Sequence, residues 1–210
     1  MKLLLLFLLP VLALAQPVLQ PTSGLATDYE WELQAPGRTL FRDLTPVGRI
    51  SLRHLAGTGG ILGKKGKETG EHLFIQADVA FVPGDSLRYH AANFSLVNGN
   101  VLAESIVDAS EVPPLYAALK YMLQTAGHIL DTERPDTRVQ HRTKSGLIFL
   151  FTQAGKEQRF AVAWPDPAGK LIERGLEADQ FQSIVDLLDL TMFELRRQGA
   201  VLQAIVELPR

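Results

Sequence analysis

Leu73-Phe74-Ile75-Gln76-Ala77-Asp78-Val79-Ala80-Phe81 decides the fold class. Leu73, Ile75, Ala77, Val79 and Phe81 alternate against Gln76 and Asp78. A period of two marks a strand with one face buried. Pro83-Gly84 ends the run. Beyond it, Arg88 to Val97 and Val101 to Val107 flank Asn98-Gly99-Asn100. Asn-Gly favours positive φ, so the two runs are expected to close as a hairpin.

The period then changes. Val112, Leu115, Leu119, Met122, Ala126 and Ile129 recur every three or four residues, which is one face of a helix. Ser110 can cap this helix. Pro113 and Pro114 fall in its first turn, where amide protons have no intrahelical acceptor. Asp131 to Asp136 reads as a loop.

The last third repeats the order. Val139 to Arg142 and Leu147 to Thr152 read as strands. Leu147-Ile148-Phe149-Leu150-Phe151 has no polar break and is expected to be central, buried on both faces. Ala154-Gly155-Lys156 turns the chain into Arg159 to Trp164, and residues 165 to 169 form a loop. Asp179 to Gln198 is a second helix, carrying Phe181, Ile184, Val185, Leu188, Met192 and Leu195. It also carries Leu187, Leu190 and Phe193, so its apolar surface is broad. Arg196 and Arg197 suit its C-terminal dipole, and Gly199 can end it. Val201 to Leu208 reads as a closing strand.

Upstream of the deciding run, Tyr29, Trp31 and Leu33 alternate with Glu30, Glu32 and Gln34, again as a half-buried strand would. Ala35-Pro36-Gly37 signals a turn. Thr39 to Leu44 and Gly48 to Leu55 are further strand candidates.

The expected class is therefore α+β: a mainly antiparallel sheet with two long amphipathic helices packed on it. Residues 73 to 130 and 138 to 199 each read as a hairpin followed by a helix, the order of a duplicated hairpin-helix unit.

Residues 1 to 15 read as a signal peptide. Lys2 supplies the positive end, about a dozen apolar residues follow, and Ala13-Leu14-Ala15 has the small-x-small cleavage pattern. A bilayer span needs roughly 20 residues, so this run is short for an anchor. Residues 16 to 27 read as a mobile leader. Residues 28 to 210 read as a single α+β domain, with 28 to 130 and 138 to 210 as its sub-units. The expected location is the periplasm or outside the cell, with no transmembrane segment after signal cleavage.

Charge and composition remove several function classes. The formal net charge is -2, unlike the strongly basic balance of electrostatic nucleic-acid binders. The absence of cysteine excludes disulfides, thiol catalysis and thiolate metal sites.

The conspicuous local feature is Gly57 to Gly70, with Lys64, Lys65 and Lys67. Glycine-freed amides and lysines suit an anion. The spacing departs from a P-loop, because Gly63-Lys64 is followed by Lys65 and the residue five before Gly63 is Thr58. It departs from a dinucleotide fingerprint as well, because position 62 is leucine. We read the segment as a loop between strands, with Lys64, Lys65 and Lys67 as weak candidates for an anionic head group or acidic glycan.

The five histidines, His54, His72, His90, His128 and His141, lack metal-ligand spacing and read as unrelated. No serine stands in Gly-x-Ser-x-Gly, and Ser145-Gly146 reads as turn chemistry. Glu104 with Asp108, or Glu173 with Glu177, could form a glycosidase-type pair, which depends on a separation the fold must set. No cofactor or metal is expected, and no catalytic residue is assigned. The leading expectation is a non-enzymatic protein that binds or scaffolds another protein or envelope ligand. A hydrolase acting on cell-wall or glycan material is the alternative.

Overall fold

The computed structural model describes residues 27–37, 39–53, 67–129, 136–166 and 170–204. Residues 1–26, which hold the stretch read as a signal peptide and most of the one read as a leader, lie outside the described residues, as do His54, Lys64, Lys65 and the rest of 54–66. So do residues 130–135, 167–169 and 205–210.

The first element corrects a strand. Asp28–Leu33 is a short helix, α1. Thr27 and Glu30 form a reciprocal capping box: Glu30 N donates to Thr27 Oγ1 at 3.1 Å, and Thr27 N to Glu30 Oε2 at 2.9 Å. Only Tyr29 is buried in α1, and Trp31 is 64% exposed. The alternation was that of a single helical turn, and the Thr-x-x-Glu capping pattern was the signal that outweighed it.

Gly37 turns the chain at φ +76° into β1, Phe41–Arg53. This single strand takes in both upstream candidates. A bulge at Val47 breaks its register beside Pro46, which removes one amide from the outer edge. β2 (Glu68–Phe81), β3 (Arg88–Asn98) and β4 (Asn100–Asp108) follow, all antiparallel in the order β1-β2-β3-β4. Gly99 turns β3 into β4 at φ +69°.

A 3-10 turn, Ala109–Glu111, holds Ser110 and leads into α2, Val112–Ile129. β5 (Thr137–Arg142), β6 (Ile148–Ala154), β7 (Glu157–Pro165) and β8 (Leu171–Leu176) form a second antiparallel sheet, in that order. α3, Ala178–Arg197, closes the described chain. β8 was missed in the sequence. Residues 201 to 204 are not a strand.

Among the described residues there are thus two four-stranded sheets and not one. The chain leaves β4 through α2, and among these residues no strand of the second group hydrogen-bonds to the first. The two sheets meet instead through side chains. Trp164 of β7 is buried and donates its indole N–H to the Phe94 carbonyl at 3.3 Å. Phe149 of β6 packs edge-on against Phe94 of β3 and Phe181 of α3, at 6.1 and 6.3 Å between ring centres. Leu115, Leu119 and Met122 of α2 join the same continuous core. The reading of β6 holds in part: it is an inner strand with Ile148, Phe149 and Phe151 buried, but Leu150 and Thr152, on the face of Ile148, are only half-buried, so that face is not sealed.

α3 lies antiparallel along β1. Gln198 reaches Thr45, Leu187 sits over Gly48, Gln180 donates to the Ser51 carbonyl, and Asp179 holds Arg53. Leu187 closes over Gly48 so tightly that a Cβ there would displace the leucine's methyl groups.

Two glycine replacements should have opposite signs. Gly146 turns at φ +85°, and an added Cβ would lie 3.2 Å from Pro165. Gly146→Ala should cost at least about 1–2 kcal/mol, the strain of a left-handed alanine. Gly127 is helical, with nothing within 4 Å of an added Cβ. Gly127→Ala should raise stability by about 0.5–1 kcal/mol. Urea unfolding of both variants checks this pair.

Candidate binding site

The end of β1 and the start of β2, on either side of residues 54–66, line one open cavity. Arg53 ends β1, and Thr69 lies at the start of β2. With Leu52, Glu71 and the β8 residues Glu173, Arg174 and Gly175 they enclose about 470 Å³ at the junction of the two sheets. Thr69 is fixed by donating to the Leu52 carbonyl at 3.1 Å.

The arginines of this cavity are held in ion pairs. Arg174 grips Glu71 through two hydrogen bonds of 2.6 and 2.7 Å. Arg53 reaches Glu177 at 3.1 Å and both oxygens of Asp179 at 2.6 and 2.7 Å. Hydrogen bonding to Asp179 holds the Arg53 guanidinium above its ordinary range, and Glu71 does the same for Arg174. Such two-pronged pairs fix direction as well as charge. The result is a shallow wall of alternating sign. Lys67 is exposed beside it.

A second polar cluster is buried and holds α1 down. Asp78 of β2 accepts from the Tyr29 hydroxyl and from Arg42 of β1. Burial first, then Asp78, push the Tyr29 hydroxyl far above its ordinary value. Burial opposes the Arg42 charge, and Asp78 more than offsets it. Asp108 accepts the backbone amides of Asp28 and Tyr29, both at 3.1 Å. Lys144 sits 3.4 Å from the same carboxylate. Every arm of this cluster ends on another part of the fold, so its chemistry is attachment.

The remaining candidates do not converge. Ser145 is buried and hydrogen-bonded to Ser105 at 2.7 Å and Thr143 at 3.0 Å. With Gly146 N donating to the Thr143 carbonyl, it serves the turn before β6. Glu104 binds Asn93, whereas Asp108 caps α1, so these two carboxylates work apart. Glu173 lines the cavity, and Glu177 belongs to Arg53. His72 meets Ser51, His90 the Gln198 carbonyl and His128 the Gln124 carbonyl. Among the described residues no three His, Asp or Glu side chains gather as a metal site would require. Among them, also, no helix is long and apolar enough to cross a membrane.

His141 is a pH-sensitive point in the fold. Burial lowers its affinity for a proton from the ordinary 6.5. The unfolded chain therefore binds the proton more readily, and stability contributed by neutral His141 falls as pH drops below 6.5. Melting midpoints measured from about pH 5 to about pH 8 should rise more steeply in the wild type than in His141→Gln.

Comparison with protein-family models, with curated proteins and with solved structures finds no match to this chain.

Proposed function

We propose that this chain is an exported, non-enzymatic protein that binds or scaffolds a protein or envelope ligand in the periplasm or outside the cell. The observation that carries the reading is the cavity at the sheet junction, walled by Arg53 at the end of β1, by Thr69 and Glu71 of β2 and by β8. Its arginines are committed to carboxylates, and its mouth is open. Recognition of a segment bearing both charges suits that arrangement better than turnover, which draws on a closed pocket of convergent titratable groups. Lys64, Lys65 and Lys67 remain the anion-binding candidates of this reading, and of the three Lys67 is described, exposed just before β2. The same reading takes the chain as a duplicated unit, because four antiparallel strands followed by a helix occur twice.

The test is capture from envelope extract with the wild type and with Glu173→Arg as baits. Glu173 is exposed on the cavity wall, so its reversal should leave folding intact and remove most of the captured component. Equal capture by both baits places recognition elsewhere. Recovery of no partner, together with turnover of a glycan or peptide library, replaces this reading with the hydrolase. Unchanged binding to anionic vesicles and glycans after neutralising Lys64, Lys65 and Lys67 removes the anion component. Export is read directly: envelope material should begin at Gln16, and an unprocessed cytosolic chain contradicts it.

A further inference from the structure

α3 has two stripes. The inward one is spent on the core. The outward one reads Ser183, Asp186, Leu190, Phe193, Arg197, in steps of three, four, three and four residues. Those steps align side chains along a helix that packs on another helix at a shallow angle. Leu190 and Phe193 lie at its centre and are 53% and 65% exposed. Asp186 and Arg197, both exposed, flank this apolar pair. Leu187, turned toward Gly48, joins the stripe to β1 on one side.

We propose that a second copy of this chain covers the stripe, α3 packing antiparallel on α3 about a two-fold axis between Leu190 and Phe193. Under that axis Leu190 meets the partner's Phe193, and Asp186 meets the partner's Arg197. Symmetry makes each contact twice, as an isologous interface must. A parallel arrangement would set aspartate on aspartate and arginine on arginine, so charge selects the antiparallel one. Arg197 already holds Glu194 at 2.6 and 2.8 Å, and Asp186 accepts from Gln182 at 2.8 Å. A guanidinium has five donors and a carboxylate two oxygens, so both can take a further partner. The neighbouring edge of β1 does not compete, because Pro46 and the Val47 bulge interrupt it. The contact does not involve the cavity, so loss of either leaves the other to be measured.

Sedimentation velocity of the purified full chain over a concentration series tests the proposal. The wild type should pass from monomer to dimer. Phe193→Glu and Leu190→Glu should weaken the dimer by about 30-fold or more while the circular dichroism of the monomer stays unchanged. Asp186→Arg should weaken it too, and Asp186→Arg with Arg197→Asp should restore it. The chain has no cysteine, so single cysteines report direction. Asp186→Cys mixed with Arg197→Cys should cross-link on oxidation, and neither alone should. A wild type that stays monomeric at every concentration overturns the proposal, even if another protein binds the stripe. So does a dimer indifferent to Phe193→Glu, or efficient cross-linking of either single cysteine variant by itself.

Discussion

Phe149→Asp leaves no folded protein. The side chain is fully buried, between Phe94 on the first sheet and Phe181 on α3. Removing the ring alone costs about 3–5 kcal/mol. The new carboxylate would have apolar rings on both sides, and an uncompensated buried charge adds several kcal/mol more. Together these approach or exceed the whole stability of a typical domain, about 5–15 kcal/mol. The expected observation is a flat thermal scan and the loss of near-ultraviolet dichroism. Phe149→Leu, which keeps an apolar group, should retain a cooperative transition at a lower midpoint. A cooperative wild-type-like melt of Phe149→Asp would mean that the two sheets do not share one core.

Arg42→Ala should cost about 3 kcal/mol, the low end for breaking a buried ion pair. Asp78 has no exposure, so loss of the guanidinium leaves its carboxylate with the Tyr29 hydroxyl alone. The low end applies because the Arg42 side chain is 33% exposed and water can partly replace it. Removing both members should cost less than the sum of the single changes, because Asp78→Ala removes the stranded charge. Denaturant unfolding of the two single variants and the double variant measures this coupling. Strict additivity would show that Arg42 and Asp78 do not interact. Amide exchange should place the first damage in α1, whose Tyr29 is anchored there.

How much of this was legible depended on where the information resided. β2, β3, β4, β6, β7 and α3 follow from period and turn chemistry, which are local. α1 was misread because Tyr29, Trp31 and Leu33 span too few residues to separate a period of two from a single helical turn. β8 was missed because Glu173-Arg174-Gly175 interrupts a strand of only six residues. The number of sheets depends on which edges pair, and no single segment states that. The cavity was hidden for the same reason. Its pairs join Glu71 to Arg174 and Arg53 to Asp179, separated by 103 and 126 residues. The lysine-rich stretch from Gly57 to Gly70 could be seen in the sequence, but the ion-paired wall formed by Arg53, Glu71 and Arg174 could not. The exposed pair Leu190 and Phe193 was visible only as excess breadth on a helix, without showing which side the core would leave uncovered.

Pro46 has a consequence for the protein in bulk. Thirteen residues of unbroken outer strand would invite a neighbour's strand, and that one another, without end. A ring without an amide proton, followed by a misaligned residue, divides the invitation into two short lengths. Strand addition along β1 is therefore disfavoured, whereas contact through a two-fold helix closes on itself after one partner. Concentrated solutions should hold discrete pairs that scatter light weakly, and not fibres.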